Sequence, residues 1–152
     1  MILSTLCYIE KDNKYLMLHR VKKKNDINKD KWIAPGGKFE DKESPEECVI
    51  REVKEETGYT LLNPILRAVV TFTSNMAETE YMYLFTCNKF EGKPIECNEG
   101  DLEWVEKSQI DKLNLWEGDK IFLNKLAKDS NFFTLKLEYD NDKLVNHYLK
   151  EY

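Results

Sequence analysis

Three carboxylates, Glu52, Glu55 and Glu56, stand at i, i+3 and i+4 in a stretch that reads as helix. At roughly 100° per residue they fall on one arc of its surface. That arc is expensive. Like charges at this spacing repel by about 0.2–0.5 kcal/mol per pair. Glu55 and Glu56 also occupy the last turn, where the negative end of the macrodipole disfavours anions by about 0.3–1 kcal/mol each. One reading is a solvated charged face. The other is a binding site for a divalent cation, which would reverse the sign of both penalties. Oxygen donors beside a Gly36-Gly37 turn with free carbonyls suit a hard ion such as Mg²⁺. Arg51 and Glu43 reach the same neighbourhood, either as a pair holding the loop against the helix or as two exposed charges.

The helix that must carry these acids is well delimited. Ser44 is an N-cap, Pro45 sits in the first turn where its missing N–H costs nothing, and Glu47 completes a capping box. Gly58 is a natural stop, so the helix spans about 45–57. Val49, Ile50, Val53 and Thr57 form the arc expected to face a sheet. Ahead of it, residues 1–10 and 14–20 read as strands around a turn at Asp12-Asn13. Residues 22–31 are polar and irregular, hence a loop, and Trp32-Ile33-Ala34 leads into the turn Pro35-Gly36-Gly37. Strands are expected at 65–73, 79–88 and 101–105, and a second helix at about 118–128. Near the C-terminus Phe133, Leu135, Leu137 and Tyr139 alternate with Thr134, Lys136 and Glu138 before a turn at Asp140-Asn141-Asp142, the pattern of a hairpin with one buried face. Strands interleaved with two helices predict an α+β or α/β sandwich, and no linker interrupts a single domain over 1–152.

Composition narrows the partners. The 152 residues carry a net charge of -5, and only three of the 23 basic residues are Arg, a poor footprint for gripping a nucleic-acid duplex. No apolar run approaches the roughly 18 residues of a membrane span, and the N-terminus lacks the basic and apolar regions of a signal peptide. The cysteines at 7, 48, 87 and 97 show no CxxC spacing, so buried free thiols in a reducing cytosol are expected.

Residues 37–59, GKFEDKESPEECVIREVKEETGY, match G-x5-E-x7-R-E-U-x-E-E-x-G-U at Gly37, Glu43, Arg51, Glu52, Glu55, Glu56 and Gly58. Seven such matches coincide by chance on the order of once in 10⁸–10⁹ windows. The chain thus resembles the Nudix hydrolases. Tyr59 takes the final aliphatic slot of the pattern. The resemblance implies an α/β/α sandwich with a mixed sheet and cleavage of a nucleoside diphosphate linked to another group. It implies that Glu52, Glu55 and Glu56 ligate Mg²⁺ or Mn²⁺ with the carbonyl of Gly36 or Gly37, while Glu43 and Arg51 orient them.

Similarity continues through Trp32, G-x-P-I-E-x-x-E at 92–99, Trp104, LWEGDK at 115–120 and the terminal hairpin. The chain resembles the MutT-type branch that hydrolyses oxidised purine triphosphates such as 8-oxo-dGTP. There Trp116 would stack on the purine, Asp119 would bind the base edge, Glu99 would be an extra ligand or base, and Lys38 would contact phosphate. Each has a plainer alternative: Trp116 as core, Asp119 as a helix cap, Glu99 as a turn residue, Lys38 as solvated. Trp32 either lines the pocket or packs the sheet, with packing favoured, and His19 and His147 read as structural. Two positions depart from the branch. Ile33 replaces an Asn that reads the base, and Gly118 replaces the first of two adjacent acids. The expectation is a cytosolic, metal-dependent enzyme of nucleotide-pool sanitation acting on a small-molecule nucleotide; the alternatives are hydrolysis of another nucleoside diphosphate derivative, such as a dinucleotide polyphosphate or nucleotide sugar, and a module that binds a nucleotide without cleaving it.

Overall fold

The computed structural model describes residues 1–128 and 131–152. Strands β1 (Ile2–Lys11) and β2 (Lys14–His19) form a hairpin whose turn residues Asp12 and Asn13 have φ of 52° and 60°. Both lie in the left-handed region that a tight two-residue hairpin needs. Two short strands follow, β3 (Trp32–Ile33) and β4 (Gly36–Lys38), and then helix α1 (Pro45–Thr57). Next come β5 (Tyr59–Leu61), β6 (Ile65–Ser74), β7 (Glu80–Cys87), β8 (Phe90–Gly92) and β9 (Asp101–Glu106). A 3₁₀ turn over Lys107–Lys112 leads to helix α2 (Glu117–Ala127), and β10 (Phe133–Asp140) and β11 (Lys143–Glu151) close the chain as a hairpin.

The main sheet runs β11-β10-β6-β7-β1-β2-β3, with β4 also on β1 and β9 on β2. It is mixed: β1 lies parallel to β7 and β6 parallel to β10, while the other pairs are antiparallel. Side-chain alternation along β1 shows why both faces are covered. Cys7 and Ile9 pack with Val49 and Val53 of α1, whereas Tyr8 between them packs with Phe122 and Leu126 of α2. Strand β7 splits the same way, Phe85 and Cys87 to one cluster and Met82 and Leu84 to the other. The result is the expected α/β/α sandwich. All four cysteines are free and buried. Among the described residues no helix is long and apolar enough to cross a membrane.

Helix α1 has the predicted bounds and caps. Glu47 donates its backbone N–H to Ser44 Oγ at 3.1 Å, Ser44 donates its own to Glu47 Oε1 at 2.9 Å, and Gly58 closes the helix at φ 84°. Helix α2 starts one residue earlier than expected. The glycine turn proves to be a strand: Gly36 and Gly37 pair with Leu6 and Thr5 of β1. A Cβ on Gly36 would run into the Thr5 carbonyl, so glycine lets β4 lie this close to β1. Neither β4 nor the other two- and three-residue strands is long enough to show a period, which is why sequence patterning passes over them.

Candidate active site

Arg51 is the hub of the α1 end. Its Nε and Nη2 donate to the two oxygens of Glu43 at 2.6 and 2.8 Å, a bidentate pair that clamps the loop after β4 to the helix. The same Nη2 donates to the Lys38 carbonyl at 3.0 Å, and Nη1 to Glu52 at 2.8 Å and Glu55 at 3.3 Å. The Arg51 hydrogen bonds hold the Glu43 carboxyl down at about 2, and Glu43 in turn raises the guanidinium.

The acids divide by burial. Glu55 is exposed, Glu52 is half-buried, and Glu56 is buried. Glu56 accepts the Gly36 N–H at 3.0 Å, yet burial pushes it up to about 8, with the charges of Glu99 and Glu52 adding to the rise. Burial also raises Glu52, and Glu55 and Glu99 push in the same direction. Glu99, just ahead of β9, is held by Arg20 at 2.7 Å and Lys23 at 2.8 Å. A Cβ on Gly37 would run into the Glu52 carboxylate, so glycine brings β4 and that acid together. The Gly37 carbonyl itself faces Thr5 Oγ1 at 3.4 Å.

Glu52, Glu55, Glu56 and Glu99 therefore share one field in which two of them resist ionising. A divalent cation would relieve that repulsion, and an all-oxygen donor set fits a hard ion. Among the described residues, however, no three acidic, His or Cys side chains form a ready-made chelate. Glu52 is turned to Arg51, Glu56 to Gly36 and Glu99 to Arg20 and Lys23. Ion binding here requires carboxylates to exchange these partners.

The α2 end is built differently. Trp116 is buried, meeting Phe72 and Tyr139 edge-on at 6.0 and 5.4 Å between ring centroids. Its Nε1 donates to Asn28 at 2.8 Å, and the Lys31 ammonium lies 4.9 Å over its ring. The 22–31 loop thus roofs the indole. Asp119 is not the helix cap: α2 begins at Glu117, which places Asp119 inside the first turn with its side chain buried. Burial pushes its carboxyl up to about 7 against the pull of Lys31. Gly118 has a steric reason to lack a side chain. Its N–H donates to Tyr139 Oη at 2.7 Å, and a Cβ would strike Leu137 and Tyr139. Ile33 packs against the same core, and Trp32, partly exposed, stacks flat on His19 at 4.4 Å. His19 also contacts Asp30 at 2.9 Å, His147 is exposed on β11, and the Lys38 side chain is exposed.

Sequence reasoning gave no place beside Trp116 to Tyr8, Asn28, Phe72 and Tyr139, which come from four separate elements. Sheet register (Leu137 opposite Phe72, for instance) and the fold of the 22–31 loop over Trp116 bring them together. No local signal marks such a set.

Residues 2–126 match the NUDIX domain family profile. The chain belongs to the Nudix family. The uncharacterized Nudix hydrolase YvcI of Bacillus subtilis (strain 168) is 33% identical over 129 residues, 82% of this chain and 78% of that protein. The oxidized purine nucleoside triphosphate hydrolase of Danio rerio is 29% identical over 133 residues, 85% of this chain and 83% of that one. The crystal structure of a mutator MutT protein from Bacillus halodurans superposes with a TM-score of 0.88 at 26% identity, over 98% of this chain and 97% of that chain. The Nudix fold, the MutT-like branch and hydrolase activity are thereby shared, and the hairpin of β10 and β11 joins the Nudix sheet from beyond the matched segment.

Proposed function

We propose that residues 1–152 form one catalytic unit that hydrolyses a purine nucleoside triphosphate, such as 8-oxo-dGTP, to the monophosphate and pyrophosphate in the cytosolic nucleotide pool. The observation that carries this reading is the raised Glu52 and Glu56 pair beside Glu99, a knot of carboxyl groups of which Arg51 holds Glu52. Glu52, Glu55, Glu56 and Glu99, with a carbonyl of Gly36 or Gly37, would hold Mg²⁺ or Mn²⁺. Such an ion supplies charge neutralisation of the polyphosphate and acidifies a water for attack at phosphorus. Arg51 and Glu43 keep α1 and the loop in register, a carboxylate of the cluster accepts the proton, and Lys38 meets phosphate from its exposed position on β4. At the other end Trp116 offers its face to the base once Lys31 moves aside, and Asp119 binds the base edge. Resemblance to the Danio rerio enzyme supports the oxidised purine.

A second reading has its own support. Ile33 is apolar, and Gly118 has no room for a carboxylate, so two polar base readers of the branch are missing. Sites gain selectivity from such groups, and their loss favours another nucleoside diphosphate derivative, such as a dinucleotide polyphosphate or nucleotide sugar. Steady-state rates on 8-oxo-dGTP, dGTP, ATP and ADP-ribose separate the two. Preference for 8-oxo-dGTP is expected, and turnover no faster than that of the other three would remove the oxidised purine from the assignment.

A further inference from the structure

Tyr8 stands in the middle of β1 with no exposed surface, between the sheet and α2. Among the described residues, its Oη is the buried side-chain polar atom left without a hydrogen-bond partner. The ring is held by edge contacts to Tyr15 at 5.2 Å and Phe122 at 6.0 Å, so the hydroxyl is not free to swing elsewhere. A phenylalanine would fill nearly the same volume without burying an unmade hydrogen bond. Asp119 lies one helical turn before Phe122, so the two side chains leave the same face of α2 toward β1. Burial and then the Asp119 charge are the main influences raising the Tyr8 hydroxyl. No described hydrogen bond reaches the Asp119 carboxyl, on which burial, Lys31 and Glu80 act. A hydroxyl and a carboxyl, both buried and both short of partners, thus lie on the α2 side of the sheet, where Tyr8 shares one core cluster with Trp116, Phe122 and Tyr139 and Ile33 packs against it.

We propose that Tyr8 is a base-reading residue: its hydroxyl donates to an acceptor on the edge of the bound nucleobase while Asp119 accepts from the neighbouring N–H. The ligand class is a nucleobase with an acceptor beside a ring or exocyclic N–H donor. In this pairing Tyr8 takes over part of the task that Ile33 and Gly118 cannot perform. The assignment rests on reading Trp116 and Asp119 as the base end of the site.

Tyr8→Phe removes one oxygen and tests this directly. With Mg²⁺ or Mn²⁺ present, KM for dGTP and 8-oxo-dGTP should rise about tenfold with kcat within twofold. Hydrolysis of inorganic tripolyphosphate, which has no base, should be unchanged. The melting temperature should hold or rise, since an unpartnered hydroxyl is lost. In parallel, calorimetry should show dGMP binding about tenfold more weakly to the variant. Equal KM and Kd values in the two proteins, or the same loss on tripolyphosphate as on the nucleotides, would overturn the proposal, as would a wild-type chain that binds no nucleobase ligand. If the wild type binds dGMP through Tyr8 yet hydrolyses no triphosphate, the base-reading role stands and the proposed hydrolysis falls.

Discussion

At the α1 end of the site Arg51 alone ties together Glu43, Glu52, Glu55 and the Lys38 carbonyl, whereas at the α2 end Asp119 and the Tyr8 hydroxyl are buried with few partners or none. One end answers charge with charge at the surface; the other withholds water from polar groups and leaves them unpaired. The first arrangement is internally paired before any ligand arrives and repels anions until a cation intervenes. The second is costly to the folded chain and becomes favourable only when something supplies the missing hydrogen bonds. Under the proposed function each end has its own ligand, a cation for one and a base for the other.

Removing the metal should break the α1 end completely. Excess chelator is expected to abolish hydrolysis of every substrate, with recovery on adding Mg²⁺ or Mn²⁺; full activity in EDTA would refute the role of the acidic arc. Glu56→Gln comes next, with an expected loss of about 10²–10³-fold in kcat. Its folded state should survive, because glutamine can still accept the Gly36 N–H and no longer carries a charge that burial opposes. Circular dichroism and a thermal melt check the fold, and unchanged turnover would exclude Glu56 from the chemistry.

At the α2 end, Trp116→Ala should raise KM for purine nucleotides by about 5–100-fold, the range for loss of one stacking platform. Because the ring also contacts Phe72 and Tyr139, the variant will melt earlier than the wild type. Trp116→Phe separates the two effects, since it retains a ring and loses the bond to Asn28. A Phe variant with normal stability and normal KM, beside an Ala variant that only unfolds, would make Trp116 a core residue.

The same contrast explains what could be read from the amino-acid order. The α1 end is written within one helix and its flanking loop. Ser44, Glu47 and Gly58 delimit the helix, and the spacing of Glu52, Glu55 and Glu56 marks its chemistry, because 3.6-residue periodicity is a local property. The α2 end is assembled from β1, the 22–31 loop, β6, α2 and β10. Trp116 and Asp119 came through resemblance, while the placing of Tyr8, Asn28 and Phe72 beside them became visible only once register and layering were known. Asp119 shows the limit of local rules. Its residue type suits a helix cap, but α2 begins two residues earlier and turns the carboxyl inward.

Two carboxyls, Asp119 at the α2 end and Glu43 at the α1 end, should also carry opposite pH signatures in stability. Asp119 has a folded pKa of about 7, raised by burial above the ordinary 3.8. Below roughly pH 4 it is neutral whether folded or unfolded, so it costs nothing. As pH rises from there, only the unfolded chain ionises freely, and the penalty grows until about pH 7, to a few kcal/mol at most. Asp119→Asn should therefore melt with the wild type near pH 4 and several degrees above it at pH 8, while KM for nucleotides rises. Glu43, held down at about 2 by Arg51, behaves in reverse. Its contribution is present above the ordinary carboxylate range and lost as pH falls toward 2. Glu43→Gln should then be the less stable chain at pH 8, with its deficit shrinking in acid. Curves for both variants that run parallel to the wild type across pH 3–8 would show that Asp119 and Glu43 do not act with opposite sign after all.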